Sequence, residues 1–162
     1  MKAYLWKTGR IISPFQDPVG DVLICNVALR EHQNRTLAAH GLTVEEIEDP
    51  AGIRDDEYLL IRDDLHFSSA ALERFLKRVR EAGHPGACAL ESGPFTEFTG
   101  FIQDLRTAQD PETGTPLTVY GLFYCRGPLE NTEAVKSLPP LRIEASQKAF
   151  PIEPGYFMPA SV

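Results

Sequence analysis

The sequence predicts an α/β fold in which a mostly parallel sheet carries helices on both faces. Three observations predict it. Tyr58–Arg62 (YLLIR) is an apolar run closed by charge at both ends, the pattern of a strand buried on both faces of a parallel sheet. Leu72, Phe75, Leu76 and Val79 then fall at i, i+3, i+4 and i+7, one apolar stripe of a helix. Ala87–Leu90 resumes as a strand, and a strand–helix–strand unit with short connections closes as a parallel, right-handed crossover.

The remaining elements follow in order. Ala3–Trp6 is the opening strand, and a loop rich in turn formers comes next, with Gly9, Ser13, Pro14, Asp17, Pro18 and Gly20. Val22–Cys25 is an apolar run too short to assign by period. Asn26 is placed to cap a helix reaching about Leu42, because its side-chain oxygen can take an unpaired amide of the first turn. Leu29, Gln33, Leu37 and His40 lie near one stripe of that helix; Gly41 suits the left-handed residue after it, and Leu42 the apolar closure. Val44 and Ile47 open a strand, and Glu48–Asp56 is a polar turn. Ser68 or Ser69 caps the second helix, which runs to about Ala82. Its Glu73 sits towards the positive end, its Lys77, Arg78 and Arg80 towards the negative end, and Gly83 closes it. Leu117–Cys125 is the longest strand candidate. After Arg126 the chain becomes Pro-rich, with order expected only at Leu141–Ile143 and Ala149–Ile152. The expected division is a three-layer, Rossmann-like domain over 1–137 and a Pro-rich arm over 138–162. That arm would pack on its own domain, on a second copy in a homo-oligomer, or on a partner protein.

A length of 162 residues with 43% apolar and 24% charged side chains fits one globular domain. A net charge of −7, with no run of five lysines or arginines, argues against nucleic acid as a partner. No stretch of about 18 consecutive apolar residues would span a membrane. Met1–Arg10 has no long apolar core and no small-residue cleavage site, so no signal peptide and a cytoplasmic location are expected. Cys25, Cys88 and Cys125 are far apart and without CxxC spacing, which predicts three reduced, buried thiols rather than disulfides or a zinc site.

Open parallel sheets bind ligands outside the carboxyl ends of their strands. Asp63 and Asp64 stand at that end of the Tyr58–Arg62 strand, and Ser68 and Ser69 begin a helix just beyond. Two readings apply to the acidic couple. Paired carboxylates can hold Mg²⁺, which takes oxygen ligands and bridges to phosphates; alternatively, the charges simply end a strand and help cap a helix. His66 is a loop histidine, or a proton carrier or ligand beside the couple. Phe95, Phe98, Phe101, Tyr120, Phe123 and Tyr124 form either core or the wall of a sugar or base pocket. No Gly-x-Ser-x-Gly elbow, P-loop or complete Gly-x-Gly-x-x-Gly is present.

Leu59–Leu76 (LLIRDDLHFSSAALERFL) resembles the middle of sugar-phosphate nucleotidyltransferases, where an apolar strand ends in Gly-Asp and a helix of pattern x-L-L-x-x-F-L follows. Asp64 matches the metal-holding Asp, and Asp63 stands where the family has Gly. Val19–Leu42 resembles the family's "PVxGKPLI" loop and the helix behind it, and Leu5–Pro14 (LWKTGRIISP) its Gly-rich phosphate loop. The resemblance implies a nucleotide or sugar phosphate bound near Gly9, Arg10 and Ser68, with Mg²⁺ at Asp63 and Asp64. Two departures stand against retained chemistry. Only Gly9 and Arg10 remain of a loop that needs glycines for close approach of backbone amides to phosphate, and Asp21 replaces the Lys of "GKP". The expectation is a non-catalytic nucleotidyltransferase-like domain used for assembly or regulation. The alternative is a Mg-dependent sugar-phosphate nucleotidyltransferase, or a nucleotide or sugar-phosphate-binding domain.

Overall fold

A computed structural model of the chain describes residues 1–12, 14, 16–93, 96, 105–144 and 158–159. The opening strand β1 (Lys2–Trp6) is followed by two hairpins, β2 (Ile11–Ile12) with β3 (Asp17–Pro18) and β4 (Leu23–Ile24) with β5 (Val27–Ala28). Helix α1 (Leu29–Ala39) leads to β6 (Thr43–Ile47), β7 (Glu57–Arg62), the short β8 (Leu65–His66) and helix α2 (Ser69–Ala82). Then come β9 (Gly86–Glu91), β10 (Arg106–Gln109), β11 (Pro116–Arg126), β12 (Pro140–Arg142) and β13 (Met158–Pro159), which pairs with β8.

The main sheet runs β12-β9-β11-β7-β1-β6, with β10 also on β11. β11 is antiparallel to β7, β9 and β10, while the β1–β6, β1–β7 and β9–β12 pairs are parallel, so one strand of this sheet opposes the rest. The mostly parallel α/β sheet is as the sequence predicts. The crossover from β7 through α2 to β9 is wider than expected, because β11 lies between the two strands. Its nine residues from Leu117 to Cys125 are all buried, and a segment apolar on both faces gains most from a central position.

Strand alternation divides the core in two. Ala3, Leu5, Leu59, Ile61 and Leu122 face Leu37 of α1 and Leu72, Phe75 and Val79 of α2. Tyr4, Tyr58, Leu60, Val119 and Phe123 face the other way, under Ile53, Leu129, Val135 and Leu138. Both described α-helices therefore cover one face, and short 3-10 turns and loops cover the other.

Helix ends follow local chemistry. The Ser68 hydroxyl accepts the Ala71 amide at 3.1 Å, and Gly83 closes α2 with φ +69°. Gly41 closes α1 with φ +72°, and the Leu42 amide reaches back to the Leu37 carbonyl at 3.2 Å. The start of α1 differs from expectation. Cys25 and Asn26 take φ +50° and +65° as the two central residues of the β4–β5 turn, so Asn26 serves a primed hairpin turn and the helix begins three residues later, after an uncapped Ala28. The same turn exposes Cys25, correcting the expectation of three buried thiols; Cys88 and Cys125 are buried, and burial pushes the Cys125 thiol up to about 12.

Tyr120, Phe123 and Tyr124 belong to the core, whereas Phe95, Phe98, Phe101 and Ala149–Ile152 lie outside the described residues. The start of the Pro-rich segment joins the sheet, with Leu141 buried beside Cys88. Gly86 makes this possible, since a Cβ there would lie 2.5 Å from Leu141 Cγ and 3.0 Å from the Pro139 carbonyl oxygen. Gly86→Ala is expected to lower the unfolding free energy by about 1–3 kcal/mol in urea melts, the usual cost of overpacking.

Candidate functional site

The carboxyl ends of β1, β6 and β7 converge on one edge of the sheet, and the chain leaves β7 through Asp63 and Asp64. The Asp63 amide continues the β1–β7 ladder by donating to the Trp6 carbonyl at 3.0 Å. From below, the Gln33 side-chain amide of α1 donates to the carbonyls of Arg62 (3.1 Å) and Leu65 (2.7 Å), bracing both ends of the acidic turn. His32 donates to the Phe67 carbonyl at 3.0 Å and stacks on His66 with ring centroids 4.4 Å apart.

The two carboxylates have different roles. Asp63 turns to the loop after β1, where it accepts the Thr8 amide (3.1 Å) and hydroxyl (2.7 Å). Burial pushes its carboxyl up, against the opposing pull of the two Thr8 bonds. Asp64 is only 2% exposed and is gripped by guanidinium groups. Arg62 binds it bidentately, Nε to Oδ1 at 3.0 Å and Nη2 to Oδ2 at 2.7 Å, and Arg10 Nη1 adds a bond to Oδ2 at 3.2 Å. Paired forks of this kind are the strong, directional form of ion pair.

A cavity of about 210 Å³ opens above this edge, lined by Lys7, Gly9, Arg10, Arg30, Gln33 and Asp63 among others. Gly9 holds φ +70°, a conformation that favours glycine. Asp21 accepts from Arg30 at 2.5 Å, so the acidic residue in the "GKP" position is answered by a cation that lines the cavity. Gln33 is fully buried, and its side-chain carbonyl oxygen has no partner among the described residues.

Of the predicted site residues, Gly9, Arg10 and Asp63 meet at the cavity. Asp64 sits beneath it, tied to Arg10. Ser68 stands apart, its buried hydroxyl committed to capping α2. Sequence reasoning missed Lys7, Thr8, Arg30 and Arg62 as parts of the site, and placed Gln33 on the helix stripe without a role. The one available signal for Arg62 was a charged residue closing a buried strand.

Mg²⁺ needs several oxygen ligands, usually one or two carboxylates with substrate phosphates and water. The residues do not fit it at Asp64, whose lone pairs are taken by two cations, and no group of three metal-ligating side chains occurs among the described residues.

The class this geometry defines is an α/β fold with one opposing strand in its sheet and a cavity at the carboxyl edge lined by charges of both signs. The solved structure of UDP-glucose pyrophosphorylase from Acinetobacter baumanii is similar with a TM-score of 0.57 at 12% identity, over 88% of this chain and 85% of that one. The inositol-1-phosphate CTP transferase from T. maritima aligns at 7% identity and TM-score 0.49, over 88% and 84%. No family model and no curated protein matches the sequence. The first of these likenesses shows a shared fold and nothing finer.

Two outcomes follow from the geometry. Asp64→Asn leaves two guanidiniums facing one another without a counter-charge, and is expected to cost about 1–3 kcal/mol of stability in urea melts. His66 is pulled down by burial, then by the neighbouring His32, from its ordinary 6.5 to about 4. Between those values the unfolded chain binds a proton that the folded chain does not, so stability is full above pH 6.5 and falls as pH drops towards 4. Urea midpoints across that range should show the loss, and His66→Phe should flatten it.

Proposed function

We propose that the chain is a non-catalytic nucleotidyltransferase-like domain, used for assembly or regulation, that binds a nucleotide or sugar phosphate in the carboxyl-edge cavity without Mg²⁺. The observation that carries this reading is the double guanidinium clamp on Asp64. Phosphoryl transfer depends on positioning and on neutralising charge at the transferred group, work that metal ions do in enzymes of this kind. Here fixed cations stand at that edge instead. Lys7, Arg10 and Arg30 offer donors to phosphate oxygens, and the Gln33 side chain lines the same space. Three unpaired cysteines agree with a role in the cytoplasm.

A second reading, a Mg-dependent sugar-phosphate nucleotidyltransferase, rests on Asp63, the one carboxylate of the acidic couple that lines the cavity. Calorimetric titration with nucleoside triphosphates and sugar phosphates, with Mg²⁺ or with chelator, separates the two. The first reading expects saturable heat that chelator leaves unchanged, no pyrophosphate release, and binding about tenfold or more weaker in Arg30→Ala, the loss of one charge-assisted bond. Pyrophosphate release that requires Mg²⁺ supports the second reading. Flat traces from a folded sample would remove both. A monomer by light scattering over a wide concentration range would count against assembly.

A further inference from the structure

A second cavity, of about 250 Å³, lies on the sheet face away from α1 and α2, and it shares no lining residue with the first. Strand register builds it. β7 pairs with β11 up to Ile61 opposite Leu122, and β10 takes the same side of β11 further on, with Arg106 opposite Val119. Arg62, one residue beyond Ile61, comes level with Gly121. Arg62 and Arg106 therefore stand two positions apart along one side of β11, about 7 Å at strand spacing.

Gly121 keeps the floor open, since a Cβ there would lie 2.6 Å from Arg62 Cδ and 3.0 Å from Arg62 Cβ. Lys136, on the 3-10 turn Thr132–Ser137, adds a third cation, and Leu105, Phe123 and Val135 give apolar walls. Among the described residues, no carboxylate lines the space. Arg62 is matched by Asp64, and Lys136 by Glu133 at 2.5 Å. Arg106 makes no ion pair among the described residues; its guanidinium donates to the Leu138 carbonyl at 2.7 Å. Burial lowers its pKa. A partly buried guanidinium with most of its five donors unspent is costly unless an anion answers it.

We infer that this cavity is a binding site for the phosphate group of a small ligand. The open Arg106 fork, with Arg62 held by Asp64 and the Lys136 ammonium on the same lining, suits a many-oxygened anionic group better than a single carboxylate. Leu105, Phe123 and Val135 leave room for a carbon skeleton rather than a second charge.

Inorganic phosphate titrated into the full chain, followed by amide chemical shifts, tests this. Saturable shifts are expected at Gly121 and Lys136. The affinity read there should fall about tenfold or more in Arg106→Leu and largely return in Arg106→Lys. Shifts confined to Gly9 and Gly20 would place phosphate only in the carboxyl-edge cavity and overturn the inference. So would linear, non-saturating shifts, or an unchanged affinity in Arg106→Leu. Should Arg106→Leu not fold, the exposed Lys136→Ala carries the same test, with weakened binding expected at Gly121 and unchanged binding overturning the site.

Discussion

A strand buried on both faces of a sheet can carry charge only where it leaves the sheet, because an ion in its middle would lose water and gain nothing in return. β7 obeys this constraint. Tyr58, Leu59, Leu60 and Ile61 are fully buried, and every charged residue of the segment lies at or beyond its ends. The carboxyl end therefore gathers Arg62, Asp63 and Asp64 within three residues, and both cavities are organised around that exit. Gln33 braces the exit. Its amide satisfies the carbonyls of Arg62 and Leu65 across the turn, so a buried polar residue on α1 sets the position of the acidic couple.

The electrostatics of this edge run against the chain as a whole. The net charge is −7, yet the two cavities are lined by Lys7, Arg10, Arg30, Arg62, Arg106 and Lys136, with Glu46 and Asp63 as the acidic lining residues. Asp64 links the two groups, since Arg10 of one cavity and Arg62 of the other close on the same carboxylate. Asp64 is answered by two guanidiniums and Asp63 stands beside them, so these four charges balance and the edge holds no excess of negative charge to draw a metal ion. A divalent cation at the same carboxylate would meet repulsion instead.

Much of the framework was legible. The apolar runs of β7, β9 and β11 and the stripe of α2 announce burial by pattern alone, and Ser68, Gly41 and Gly83 mark helix ends by steric rules that act within a few residues. Asn26 misled for the same local reason, since the side chain that caps helices also tolerates the left-handed turn of a hairpin. Two-residue strands such as β2, β4 and β8 carry too few side chains to show a period. The order of strands was not legible either: β11 enters between β7 and β9 from far along the chain, and nothing in the β7–α2–β9 segment signals the gap left for it.

The sequence by itself determined which segments are buried, where the principal helices stop, and that paired carboxylates follow a buried strand. Tertiary structure alone decided what those carboxylates do. Asp63 and Asp64 are chemically identical and adjacent in the chain, but one accepts from Thr8 and the other from two arginines, Arg10 coming from 54 residues away. A carboxylate's role depends on the charge within a few ångströms of it, and only the folding of distant segments onto one edge fixes that charge.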